Sequence, residues 1–164
     1  MYLLGQGGPY DMEALTRDFG TVNYQRKDII EFVQPIFGFN QYRKFILLCD
    51  QEIGPQFAWL QSLDKPELCF ILTNPDIVNP NYKATIPESA CNVTGNSECE
   101  CWSMTVIPEN FTDTTINLKS PILINQESHK AAQVILDADY PIRCRLKKQI
   151  KEGTKNVNPF PKIK

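Results

Sequence analysis

Thr114-Thr115-Ile116-Asn117-Leu118-Lys119-Ser120-Pro121-Ile122-Leu123-Ile124-Asn125-Gln126-Glu127-Ser128-His129-Lys130-Ala131-Ala132-Gln133-Val134-Ile135-Leu136 is the stretch that decides the fold. It divides into three extended pieces, residues 114–118, 122–125 and 132–136; the first two are rich in the β-branched side chains that suit a pleated surface, and the third ends in Val134-Ile135-Leu136. Lys119-Ser120-Pro121 separates the first two, and a proline at the start of a strand breaks no ladder hydrogen bond. The polar run 126–130 separates the second from the third. Connections this short predict an antiparallel meander, because parallel neighbours need a crossover of about a dozen residues or more.

The rest of the chain reads as strands added to that sheet. Residues 20–25 alternate weakly, 44–49 form an apolar run, and 69–73 another. Residues 56–63 place Phe57, Trp59 and Gln61 on one face and Ala58 and Leu60 on the other. In 101–107, Trp102, Met104 and Val106 share a face. Residues 28–39 contain Pro35 and Gly38 and read as a loop anchored by Phe37 and Phe39, while 86–91 allow one helical turn. Leu60, Phe70, Leu72, Ile122, Ile124 and Ile135 are core by this pattern. The fold class expected is all-β, a small single-domain barrel-like arrangement of antiparallel strands. Residues 1–14 read as a loose leader, 15–146 as the β domain, and 147–164 as a basic, mobile tail.

With 164 residues, 42% of them hydrophobic and 22% charged, the chain can bury a real core. The longest apolar runs are far too short to span a bilayer, and residues 1–13 lack the basic start and apolar stretch of a secretory signal. A cytoplasmic location is expected, and with it six cysteines carried as free thiols. Charge is unevenly placed. Residues 147–164 hold six lysines against one glutamate, a net +5, whereas residues 1–146 carry eleven bases against eighteen acids, a net −7.

Little in the sequence suggests catalysis. His129 is the single histidine and lies in a polar loop with no nucleophile fixed beside it. The carboxylate pairs Asp137/Asp139 and Glu98/Glu100 read as solvated charges. No glycine-rich phosphate loop precedes a helix, so neither an enzyme nor a cofactor is expected. Cys91, Cys99 and Cys101 offer thiolates for a metal, but the spacing is not C-x-x-C and no second pair exists; buried or idle thiols are the default.

Several blocks, in order, resemble the FliW family of flagellar assembly factors. They are Thr16-Arg17-Asp18-Phe19-Gly20, with one residue inserted relative to the family's Thr-Arg-Phe-Gly; Asp28-Ile29-Ile30-Glu31-Phe32; Gly38-Phe39; and Trp59-Leu60-Gln61-Ser62-Leu63. Phe70-Ile71-Leu72-Thr73-Asn74-Pro75, then residues 117–125, then Gln133-Val134-Ile135-Leu136 complete the match. The chain departs from the family's pattern at Pro35-Ile36-Phe37-Gly38-Phe39, in the cysteine-bearing segment 86–101, at Cys144-Arg145-Leu146, and in its lysine tail.

The resemblance implies a compact β fold and a non-catalytic regulator. Similar proteins bind flagellin and, when free of it, bind and allosterically antagonise CsrA, a translational repressor, so that flagellin mRNA is relieved of repression. An acidic body suits a partner that grips RNA through basic side chains. No direct nucleic-acid contact, membrane or small-molecule substrate is expected. The alternative is a small barrel binding RNA directly through the lysine tail. Partner contacts are expected at the two matched turns, Thr73, Asn74 and Pro75, and Asn117, Lys119, Pro121 and Asn125, each of which could equally serve only to shape its turn.

Overall fold

The computed structural model describes residues 12–95 and 98–146. Among the described residues eleven strands form: β1 (Met12–Leu15), β2 (Thr21–Tyr24), β3 (Ile30–Gln34), β4 (Lys44–Leu48), β5 (Phe57–Ser62), β6 (Cys69–Thr73), β7 (Glu100–Val106), β8 (Thr115–Ile116), β9 (Ile122–Ile124), β10 (Lys130–Gln133) and β11 (Cys144–Arg145). The described residues hold one short α-helix, α1 (Glu88–Cys91). Of the leader, residues 12–14 belong to β1; the rest of it and the 147–164 tail lie outside the described residues.

Pairing runs β7-β6-β5-β4-β3-β10-β9 and returns from β9 to β7, closing a ring of seven strands. Cross-strand partners share a face. One continuous face therefore carries Phe45, Leu47, Leu60, Leu72, Trp102 and Ile124, joined strand to strand round the ring. Phe45 and Phe70 sit two strands apart, yet their ring centroids are 6.2 Å from each other, so this face is the concave, inner one. Phe39 caps it by an edge-on contact with Phe70 at 5.0 Å.

The outer face is apolar too, as the unbroken burial of β5 requires. Ile46, Leu48, Trp59, Ile71, Cys101 and Leu123 form a second core outside the ring. The β1–β2 hairpin, residues 77–91 with Cys99, and residues 136–146 cover it. Each fully buried large side chain contributes about 1.5–3 kcal/mol, so this outer layer matters as much as the barrel's interior.

The Thr16–Gly20 turn shows how the cover is fixed. Thr16 Oγ1 donates to Gly20 O at 2.6 Å and accepts from Phe19 N at 2.9 Å, and Gly20 takes φ 65°, a conformation that costs glycine little. Phe19 then packs edge-on against Trp59 at 5.2 Å. Arg17 N donates to Gln61 Oε1 at 2.9 Å, and the Arg17 guanidinium bridges Asp18 and Cys69 O.

Four sequence readings need correction. The sheet is mixed, since β10 pairs parallel to β3, with a register shift between Ala131 and Ala132. Residues 28–39 are not one loop: Ile30 and Phe32 point inward from β3, and Phe37 is half exposed rather than an anchor. The meander is only half right. β9 and β10 form a hairpin, but β8 and β9 do not pair; both run along β7, with six residues from Ile116 to Ile122 spanning three on β7. Pro121 thus marks a bulge within one interrupted strand path, not a reversal. Finally, Ile135 is 64% exposed while Val134 and Leu136 are buried, because alternation past β10 turns it outward.

Candidate protein-binding surfaces

The residues singled out from sequence flank β7 on its two edges. Thr73 pairs with Ser103 at the end of β6, and Asn117 N donates to Met104 O at 2.9 Å on the other side. Thr73 is buried, its hydroxyl 2.8 Å from that of Thr105. Asn74 caps the 3₁₀ turn Pro75–Ile77 by accepting from Asp76 N at 3.0 Å, and Pro75 is buried.

Asn117, directly after β8, and Asn125, directly after β9, use the same device. Asn117 Oδ1 accepts from Lys119 N and Ser120 N, each at 3.0 Å. Asn125 Oδ1 accepts from Glu127 N at 2.9 Å and Ser128 N at 3.0 Å. Such Asx turns replace a backbone acceptor by a side-chain one. Lys119 Nζ donates to Ala138 O at 2.9 Å, and the buried Pro121 accepts at its carbonyl from Val134 N at 3.1 Å. Asn74, Asn117 and Lys119 stay half exposed, whereas Thr73, Pro75, Pro121 and Asn125 are interior. His129 takes φ 58° and closes the Asn125 turn, its N–H donating to Asn125 O and its carbonyl accepting from Glu31 N.

Two concave surfaces lie on opposite sides of α1 and the residues flanking it, and of the residues above Asn125 borders one of them. One is a shallow groove of about 380 Å³ bordered by Phe37, Pro87, Ala90, Val93, Gln133 and Ile135. Phe37, Val93 and Ile135 are exposed large apolar side chains gathered at one place, as interaction sites are and scattered surface residues are not. Gln133 is buried and holds this arrangement: its Oε1 accepts from Phe37 N at 2.9 Å and its Nε2 donates to Ser120 O at 3.2 Å.

The other is a cleft of about 540 Å³ bordered by Lys83, Glu88, Glu98, Glu100 and Glu127, with Ile86 and three cysteines adding an apolar component. Four carboxylates against one ammonium make it locally acidic. The intervening ridge sends Ile86, Glu88 and Cys91 toward the cleft and Pro87, Ala90 and Val93 toward the groove. A disulfide between Cys91 and Cys99, Cα atoms 6.0 Å apart, ties the ridge down. Idle thiols are therefore the wrong reading for these two, and Cys99 is not available to pair with Cys101 around a metal. Cys101 is buried, and burial pushes its thiol well above the ordinary range.

Neither concave surface was read from sequence. The groove's signal in the sequence is Phe37 beside Pro35 and Gly38, which reads as an anchor; the cleft's is the spacing of Glu88, Glu98 and Glu100, which only the fold brings beside Glu127.

Residues 13–146 match the family described as FliW protein. The chain is 35% identical over 149 residues to the flagellar assembly factor FliW of Caldanaerobacter subterraneus subsp. tengcongensis, covering 89% of this chain and 97% of that relative. It is 33% identical over 136 residues to that of Ruminiclostridium cellulolyticum, covering 80% and 92%. A crystal structure of the flagellar assembly factor FliW superposes with a TM-score of 0.71 at 31% identity, over 82% of this chain and 96% of that one.

Proposed function

This chain belongs to the FliW family of flagellar assembly factors, and from that premise we propose that it is a non-catalytic cytoplasmic regulator with two protein partners. It binds flagellin and, when free of it, binds and antagonises the repressor CsrA, which relieves repression of flagellin mRNA. The observation that carries this reading is the pairing of an acidic cleft with an apolar groove across one short ridge. A protein that holds RNA presents lysine and arginine to phosphates. Carboxylates on Glu88, Glu98 and Glu127 attract such a surface, and their negative potential beside it weakens RNA binding without occupying the RNA site. The groove at Phe37, Val93 and Ile135 offers flagellin apolar contact area. The turns at Asn74, Asn117 and Lys119 add polar contacts, Thr73, Pro75 and Pro121 act from beneath by fixing turn shape, and Asn125 fixes its turn at the wall of the cleft.

The test is binding of each purified partner to the wild type and to two variants, Glu88→Gln/Glu98→Gln and Phe37→Ser/Ile135→Ser. The acidic variant loses CsrA affinity and the salt dependence of that affinity, keeping flagellin; the groove variant does the reverse. A mobility shift of RNA by this protein alone, with no CsrA present, would instead support direct RNA binding through the lysine tail.

A further inference from the structure

The chain that forms the acidic cleft also carries its own cationic segment. Residues 147–164 hold six lysines against one glutamate. They follow Leu146, whose N–H donates to Thr114 O at 3.1 Å beside β8. β8 pairs with Thr105 and Val106 of β7, and Glu100 at the cleft begins that same strand. Six residues of strand separate Val106 from Glu100, about 20 Å. Eighteen residues reach up to about 60 Å when extended, so length does not keep the tail from the cleft.

A second observation concerns the ligand's chemistry. Asn125 borders the cleft, is buried, and has an Nδ2 with no acceptor among the described groups, although its Oδ1 is fully used. A bare cation has nothing to offer this donor. A lysine-bearing peptide does, since it brings ammonium groups for the carboxylates and backbone carbonyls for an amide N–H.

We propose that the acidic cleft bordered by Glu88, Glu98, Glu127 and Asn125 is a lysine-peptide site occupied in cis by residues 147–164 of this chain. Tethering makes the tail a competitor at high effective concentration. Any basic partner entering the cleft must displace it, so the tail sets a threshold that the partner's concentration has to exceed. Only this last consequence rests on the function proposed above; the docking itself does not.

Carbodiimide activation tests the docking on the full chain without any partner. The reagent activates a carboxylate, the lysine amine attacks with loss of the urea, and an amide remains. Mixing isotopically light and heavy chains separates links within one molecule from links between two. Links within a molecule from the tail lysines to Glu88, Glu98 or Glu127, abolished by high salt, are expected. Links spread evenly to exposed carboxylates such as Glu52 and Glu67, or found only between molecules, overturn the proposal. A synthetic peptide of residues 147–164 gives a second readout: it binds a full-length variant with Lys147, Lys148, Lys151 and Lys155 changed to Ser at least tenfold tighter than the wild type. Equal affinity for both chains overturns it as well. Since CsrA is absent throughout, failure here is distinguishable from failure of the partner assignment.

Discussion

Replacing Asn125 by alanine separates a residue that shapes a turn from one that touches a partner. Asn125 is 1% exposed, and its Oδ1 is the acceptor for both Glu127 N and Ser128 N. Alanine removes both bonds. Each net hydrogen bond contributes about 0.5–1.5 kcal/mol, and a donor left dry costs more than one that water can reach. Glu127 and Ser128 are exposed, so water rescues part of the loss. The cavity left by the amide adds to it, giving a total of about 2–3 kcal/mol. At about 2–4 °C per kcal/mol for a chain of this size, the melting temperature falls by about 4–12 °C. Asn117→Ala is the matched control: it makes the same pair of bonds, but at a half-exposed site, so its loss is smaller. Calorimetry or urea titration of the two variants reads the difference. A shift of under a degree for Asn125→Ala, or a larger one for Asn117→Ala, refutes the assignment of Asn125 to turn architecture.

Three other outcomes follow from single interactions. Tyr82 is fully buried and its hydroxyl donates to Leu118 O, so Tyr82→Phe strands a carbonyl and costs about 1–2 kcal/mol by urea titration. Burial pushes the Cys69 thiol from 9.0 up to about 12, the Arg17 charge opposing it only in part. Below pH 9 both folded and unfolded chains keep that proton; above it only the folded chain does. Stability therefore falls by about 1.4 kcal/mol per pH unit for this group until the folded value is reached, and the slope of the urea midpoint between pH 9 and 11 is shallower in Cys69→Ala. Cys91→Ser/Cys99→Ser opens a loop closed across 8 positions, which lowers stability by about 2.5 kcal/mol in the chain-entropy account; the wild type treated with dithiothreitol shows a similar loss.

How much was legible depended on whether an element's pattern was local. β5 and β6 announce themselves, since Phe57 to Ser62 and Cys69 to Thr73 are unbroken strand-forming runs bounded by Gly54-Pro55, Lys65-Pro66 and Asn74-Pro75. β3 was hidden by Pro35 and Gly38, although Ile30 and Phe32 alternate correctly just upstream. Pairing is not local: nothing near Lys130 shows that its partner is Glu31. The candidate surfaces were harder still. Asn117 and Asn125 advertise turns and are turns, whereas Phe37, Val93 and Ile135 come from three separate segments and become one groove only after the ring closes. The Cys91–Cys99 link has no local sequence signal, since eight positions separate the two and nothing in that spacing marks a pair.

The join between β3 and β10 governs the protein's life on the ribosome. Glu31 waits for Lys130, made 99 positions later. At about 5–20 residues per second, that interval lasts about 5–20 s. Until then the nascent chain carries an open strand margin that any neighbouring extended segment can occupy. A product terminated before Lys130 never loses that margin, so it will aggregate rather than persist as a smaller working fragment.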